Sequence, residues 1–302
     1  MVLASLVVFL AGAGFSMYLM TKGSMIMKKH LNIFFPQWQG GGQDKSTYEG
    51  AIEIKKKYLS AKPFIDVEVS LEDDYLIENN IIGYKSIMKQ LEECKKLIMQ
   101  EKPTTIFTIG GGCDISIVPV SYLNSKIKGD ITILWFDAHG DLNTPESSYS
   151  KAFHGMPLRM LLGEGDSKLL SQAFSILLPS QIILLGSREL DDAEVQYIED
   201  KNIKLLTVED IESNINNVLE TIKSKGSENI YIHMDLDVID PVVFPFVPVP
   251  AVGGLKIETL SSFLKVLDRE FNILGLSLVE YQPAGKPTFQ ILEKIINMGV
   301  AL

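Results

Sequence analysis

Six short runs along the chain are almost continuous in Ile, Leu, Val and Phe, with no polar alternation: residues 31–35, 105–109, 131–136, 181–185, 230–234 and 273–279. Runs of this length and kind suit strands covered on both faces. Between them the apolar positions change period. Ile211, Ile215, Val218, Leu219 and Ile222 recur at helical spacing, as do Leu260, Phe263, Leu264, Leu267 and Phe271, with Thr207 and Thr259 as caps or first-turn residues. Cys94 shares one helical stripe with Ile87, Leu91 and Ile98 and reads as a packed core thiol. Strands alternating with helices predict an α/β fold with a parallel sheet and crossover connections.

Composition narrows this further. With 302 residues, 46% of them hydrophobic, the chain can bury one full-sized core. The formal net charge of −10 argues against nucleic acid as a partner, since that contact rests on a basic patch. It suits a small cation or a metal ion. Two cysteines without a CxxC pair indicate neither a disulfide framework nor a zinc knuckle, and fit a reducing compartment. Residues 1–20 carry no charged side chain, and Lys22, Lys28 and Lys29 follow them. Their length allows a bilayer crossing, and the order of charges fits an anchor with a cytoplasmic body better than a secretory signal. Alternatively translation starts near Met25 or Met27 and the upstream stretch is a start-site artefact. Either way residues 1–28 form an apolar N-terminal segment and 29–302 the catalytic domain, which is cytoplasmic, free or membrane-anchored.

In parallel sheets ligands bind beyond the carboxyl ends of the strands. The exit after 131–136 reads Asp137-Ala138-His139-Gly140-Asp141, and the exit after 230–234 reads Asp235-Leu236-Asp237-Val238-Ile239-Asp240-Pro241. Extended backbone puts i, i+2 and i+4 side chains on one face, so five metal-type ligands converge there. Their mutual repulsion calls for protons or cations, and a pair of divalent metals compensates it economically. A single Asp at a strand exit often caps a helix, but capping does not account for five such groups at two exits. His233 lies inside a strand and reads as a hydrogen-bonded core residue, and His30 as a surface one. A third exit, Gly110-Gly111-Gly112-Cys113-Asp114-Ile115-Ser116, permits close backbone approach. It lacks the GK[ST] of a phosphate loop.

Over residues 31–283 the chain resembles the ureohydrolase family of arginase, agmatinase and formimidoylglutamase, which shares its α/β fold with histone deacetylases. The likeness lies in Gly111 to Cys113 (the family's GGxH), Asp137 to Asp141 (DAHxD), His154-Gly155, Asp235 to Pro241 (DxDxxDP), Gly253 to Leu255 (GGL) and the distal Glu280. The resemblance implies a three-layer α-β-α fold with a central, mainly parallel sheet. It implies two divalent ions, usually Mn²⁺: one held by Cys113, Asp137, Asp141 and Asp235, the other by His139, Asp137, Asp235 and Asp237. It also implies a homo-oligomer. The family's first ligand is His, and this chain carries Cys113. A thiolate is soft and Mn²⁺ hard, so that position is expected to bind weakly or to take another metal.

The same resemblance implies a substrate. The segment from Leu142 to Phe153 is arginase-like in length and in its Asn143-Thr144-Pro145 start. Asn143, Ser148 and Ser150 match positions that meet an α-carboxylate, Ala152 stands where arginase has another Asn, and Asp191 matches the contact to the α-amino group. The alternative for Asp191 is to cap a helix beginning near Asp192. The implied chemistry is metal-assisted hydrolysis of a guanidino C–N bond, releasing urea or a substituted urea. Asp141 would position the nucleophile, Glu280 pair with the planar guanidinium, and His154 shuttle a proton to the leaving amine. Two alternatives stand beside this reading: another amidino or N-hydroxyguanidino substrate, such as hydroxyarginine or agmatine, and a metal-binding pseudoenzyme. Retention of His154 and Glu280 weighs against the pseudoenzyme.

Overall fold

The structure is a computed structural model that describes residues 18–21, 24–27, 29–42, 44–285 and 287–302. Its centre is an eight-stranded sheet of β1 (His30–Phe34), β2 (Ile65–Asp66), β3 (Thr105–Ile109), β4 (Thr132–Phe136), β5 (Ile182–Leu185), β6 (Lys204–Leu206), β7 (Asn229–Asp235) and β8 (Asn272–Val279). The spatial order is β6-β5-β4-β7-β8-β3-β1-β2, and every pairing is parallel. Each of the six apolar runs is a strand, within a residue at either end. The sequence reading missed β2 and β6, which are too short to stand out as apolar runs.

Strand side chains alternate between two separate cores, as a pleat requires. Phe107, Leu134, Phe136, Ile183, Ile230, Ile232 and Leu276 face one layer, formed by α1 (Ser46–Tyr58), α5 (Ile215–Lys223), α6 (Ile257–Glu270) and α7 (Gln290–Val300). Ile106, Ile133, Trp135, Ile182, Leu184 and Tyr231 face the other, with α2 (Tyr84–Glu101), α3 (Ile117–Lys126) and α4 (Asp192–Lys201). This is the expected three-layer α-β-α arrangement. Cys94, Ile87, Leu91 and Ile98 form the buried stripe of α2.

The predicted 211–222 helix is broken at Asn214. There the backbone turns extended and the side chain accepts from the amides of Asn216 and Asn217, so a second helix begins. Such local competition by Asn is why the helical period alone does not reveal the break. Thr207 caps the preceding helix, Val208–Ser213, by accepting from Asp210 N, and Thr259 lies in the first turn of α6. His30 is half-buried rather than at the open surface; its ring nitrogens meet Thr105 Oγ1 and Asn32 Oδ1. Of the apolar N-terminal segment, the backbone of Tyr18–Thr21 and Ser24–Met27 pairs as an antiparallel hairpin. The rest of that segment, on which the anchor and start-site readings fall, lies outside the described residues. Among the described residues no helix is long and apolar enough to cross a membrane.

Phe136 is fully buried in the first core, edge-on to Phe263 of α6. Phe136→Ala is expected to lower the unfolding free energy by about 3–5 kcal/mol through lost burial and the cavity left behind. Leu71, 53% exposed, is the control: Leu71→Ala should change it by no more than about 0.5 kcal/mol. Urea unfolding followed by circular dichroism checks both.

Candidate active site

Five neighbouring strands, β5-β4-β7-β8-β3, carry every candidate residue to the same carboxyl edge of the sheet. Residues 186–191 follow β5, 137–141 follow β4, and 235–237 close β7. Glu280 follows β8, and the glycine loop ending at Cys113 follows β3. β3 and β4 are successive in this part of the chain, yet β7 and β8 lie between them. The chain therefore reverses direction across the sheet at this place, where open α/β sheets form their binding crevice.

The acidic groups are buried and interlocked. Asp137, Asp141, Asp235 and Asp237 are each at most 3% exposed, so no solvent screens them from one another. Asp237 Oδ1 accepts from Ala138 N at 2.9 Å, Asp235 Oδ1 from Asp237 N at 2.8 Å, and Asp137 Oδ1 from His139 N at 2.6 Å. The first of these bonds ties the two strand exits together, and the other two fix each exit locally. His139 Nδ1 lies 2.9 Å from Asp237 Oδ2 and 3.5 Å from Asp137 Oδ1. Cys113 Sγ donates to Asp235 Oδ2 at 3.0 Å. Asp141 reaches the site from a left-handed backbone (φ +54°), and so does Glu280 (φ +57°).

Burial and like charge push the carboxyl groups upward. Asp137 rises to about 6, through burial and then Asp237. Asp141 and Asp235 go well above the carboxylate range, through burial first and then Asp137 and Asp237 respectively. The Cys113 thiol is raised by burial and then Asp141. Burial alone would lower His139, but Asp137 and Asp237 outweigh it and carry the imidazole to about 11. His154 is likewise raised, Glu280 overcoming burial.

Glu280 Oε1 accepts from Cys113 N at 3.2 Å and lies 3.1 Å from His154 Nδ1, while Oε2 is buried without a partner among the described residues. Asp141 Oδ2 is in the same condition. Orphaned buried carboxylate oxygens are rare in native proteins and mark places where something else binds. Three sets of donor atoms are each gathered within 4.8 Å: Cys113, Asp137, Asp141 and His233; Cys113, Asp235 and Glu280; and Asp137, His139 and Asp237. All six residues expected to hold metal therefore come together, and the orphaned oxygens fit them to divalent ions.

A cavity of about 650 Å³ opens onto the cluster and is also lined by Asn143, Ser148, Ser150, His154 and Asp191. Asp191 stands at the N-cap position of α4, yet its carboxylate does not cap the helix; it accepts from Asn143 Nδ2 at 2.8 Å. Ala152 is buried, with its amide on Ser150 Oγ.

Sequence reasoning missed several supports. Glu194 accepts from Leu142 N and Asp191 N and so braces two loops of the cavity; its signal was the Asp191-x-x-Glu194 capping spacing. Arg188 donates to the carbonyls of Asp237, Ala251 and Val252 and ties the 248–252 wall to the β7 exit. No local pattern announces that wall. Asp114, beside the cluster, is bonded by Gln37 and raised to about 7 by burial and then Glu280. His233 packs in the core as expected, stacked on Trp135, but the same ring also reaches the donor cluster.

Comparisons with known proteins bear on the family and the fold. The family model described as Arginase family matches residues 44–294. Arginase of Staphylococcus aureus (strain MRSA252) is 33% identical over 247 residues, covering 78% of this chain and 82% of its own. The structure of Entamoeba histolytica arginase in complex with L-ornithine superimposes with a TM-score of 0.81 at 25% identity, covering 91% of this chain and 99% of that one. Arginase from Bacillus subtilis gives 0.76 at 25% identity, covering 91% and 97%. The chain belongs to the arginase family and is a metal-dependent amidinohydrolase.

Proposed function

We propose that the protein hydrolyses the guanidino group of an arginine-like amino acid at a two-metal centre, releasing urea. One observation carries this reading: a single cavity joins the carboxylate cluster and the Glu280–His154 pair to Asn143, Ser148, Ser150 and Asp191. It also joins them to Glu189 and Glu194, so its lining is strongly acidic and favours a cationic substrate. The relatives named arginase support the same substrate.

Cys113, Asp137, Asp141 and Asp235 would hold one divalent ion, and His139, Asp137, Asp235 and Asp237 the other, with Mn²⁺ as the family's usual ion. Such ions supply Lewis acidity and a nucleophile at neutral pH. The chain's own groups do the rest. Glu280 has one oxygen fixed by Cys113 N and His154, leaving Oε2 to accept from the planar guanidinium and orient it. His154 Nδ1 is occupied by Glu280, so Nε2 carries the proton to the departing amine. Glu280 keeps that imidazole protonated to higher pH than burial alone would allow. Asp141 Oδ2 positions the attacking nucleophile. At the far end, Asn143, Ser148 and Ser150 receive the substrate carboxylate and Asp191 its amino group. Ala152 supplies no amide to this end, which keeps other amidino or N-hydroxyguanidino compounds as the second reading.

Two outcomes follow. His154→Ala and Glu280→Ala should each lower kcat by about 10²- to 10⁴-fold with unchanged far-ultraviolet circular dichroism. The assay is urea release from L-arginine, N-hydroxyarginine and agmatine, with L-arginine expected to be best. Preference for agmatine would remove the carboxylate-binding roles, and full activity in both variants would remove the catalytic ones.

The second outcome concerns pH. Because the folded-state pKa values of Asp137, Asp141 and Asp235 are raised, the metal-free native protein holds protons that the unfolded chain releases. Its stability therefore falls as pH rises from about 4 through about 6 and beyond. Divalent ions replace those protons and contribute about 2.7 kcal/mol per site at hundredfold excess over Kd. Thermal melts with chelator and with Mn²⁺ should diverge more at pH 8 than at pH 5; coincident melts at both would count against a metal centre.

A further inference from the structure

Cys113 stands where imidazole was expected, and an unassigned imidazole lies beside it. A ring nitrogen of His233 is within 4.8 Å of Cys113 Sγ and of carboxylate oxygens of Asp137 and Asp141. His233 is fully buried and precedes Asp235 by two residues in β7, so the two side chains share a face. Its Nδ1 is taken: Ser116 Oγ lies at 2.8 Å and Ser277 Oγ at 3.2 Å. Ser116 gives its own proton to Ser277 Oγ at 2.8 Å, so toward His233 it accepts, and Nδ1 carries the ring proton. Nε2 is then a bare lone pair, and it is buried with no protein partner among the described residues.

The ring is also held against rotation. It stacks on Trp135 with centroids 3.6 Å apart and planes 8° from parallel, and Trp135 Nε1 donates to Asp137 Oδ2 at 3.2 Å. A metal-ligating histidine characteristically donates its second N–H to a fixed partner, which sets tautomer and orientation. Ser116 and Trp135 do that for His233. An orphaned lone pair in a dry core is otherwise costly.

We infer that His233 Nε2 is an additional protein ligand of the ion shared by Cys113, Asp137 and Asp141, giving that half of the centre a sulfur and a nitrogen donor beside its carboxylates. This rests on the two-metal reading above. A thiolate–imidazole pair shifts preference from Mn²⁺ toward Co²⁺ or Zn²⁺, so the two halves of the centre differ in the metals they favour.

The test uses the full chain loaded with Co²⁺. Anomalous-difference maps from wild-type crystals should place one ion within bonding reach of His233 Nε2, about 2.0–2.1 Å as for comparable nitrogen ligands. In solution, metal content after dialysis should fall from two ions per chain in wild type to one in His233→Gln and His233→Ala. The near-ultraviolet thiolate-to-cobalt band of Cys113 should be lost with it. Two ions, one bonded to Cys113 but none within reach of Nε2, would overturn the inference while leaving the two-metal reading intact. No bound ion in wild type would overturn both. Should the variants fail to fold, the wild-type map alone decides.

Discussion

Four aspartates buried within one strand-end cluster are the constraint from which the rest of the site follows. Like charges gathered within a few ångströms and largely buried cannot all be ionised without compensation, and the upward displacement of Asp137, Asp141 and Asp235 expresses that conflict. Protons relieve it at low pH; divalent cations relieve it at the pH where the enzyme works. The left-handed backbone at Asp141 and Glu280 belongs to the same conflict. Each costs roughly 1–3 kcal/mol, and each persists because the surrounding chain over-determines it. Asp141 O accepts from the amides of Leu158 and Arg159, and Glu280 N donates to Gly111 O.

Such a cluster can be held only by a frame that does not yield. Two apolar layers grip the sheet from both faces, and the strand exits are cross-tied rather than left as free loops. The glycine loop shows how tightly. A Cβ on Gly111 would lie 1.9 Å from Gln37 O, and one on Gly110 2.5 Å from Phe35 O, so these residues are glycine because the β1 exit presses directly on their backbone. That pressure sets where Cys113 emerges, and its amide in turn fixes Glu280. Stability of the frame and placement of Glu280 are therefore linked through one short segment.

Much of this was legible in the sequence, and the reason is burial. Strands covered on both faces leave uninterrupted apolar runs, and carboxylates at their exits stand out because nothing in a core calls for Asp137, Asp141, Asp235 and Asp237. The illegible parts depend on contacts remote in sequence. β2 and β6 are sheet edges of two and three residues, set by their neighbours more than by their own pattern. Arg188 and the 248–252 wall meet only after folding. The break at Asn214 is a side-chain competition that hydrophobic periodicity does not register. His233 is a different case, since its i, i+2 relation to Asp235 was visible. A histidine inside an apolar strand reads first as a packed residue, and it is one; that a ring nitrogen also comes within 4.8 Å of Cys113 Sγ needed the fold.

The two halves of the cluster also differ in access. Cys113, Asp137, Asp141 and His233 are all buried, whereas His139 on the other side keeps 28% of its side chain exposed. Cys113 and Asp141 nevertheless line the cavity beside His139, so both halves open onto it, while Asp137 and His233, the latter stacked on Trp135, lie behind the wall. The His139 half offers imidazole and carboxylate donors, and the Cys113 half a sulfur as well. A ligand in that cavity would therefore meet donors of both halves, together with Asn143 and Asp191. On the reading that His233 is a ligand, the absence of an imidazole at position 113 is offset by one from β7, and the half that carries the sulfur is also the half backed by a ring stacked in the core.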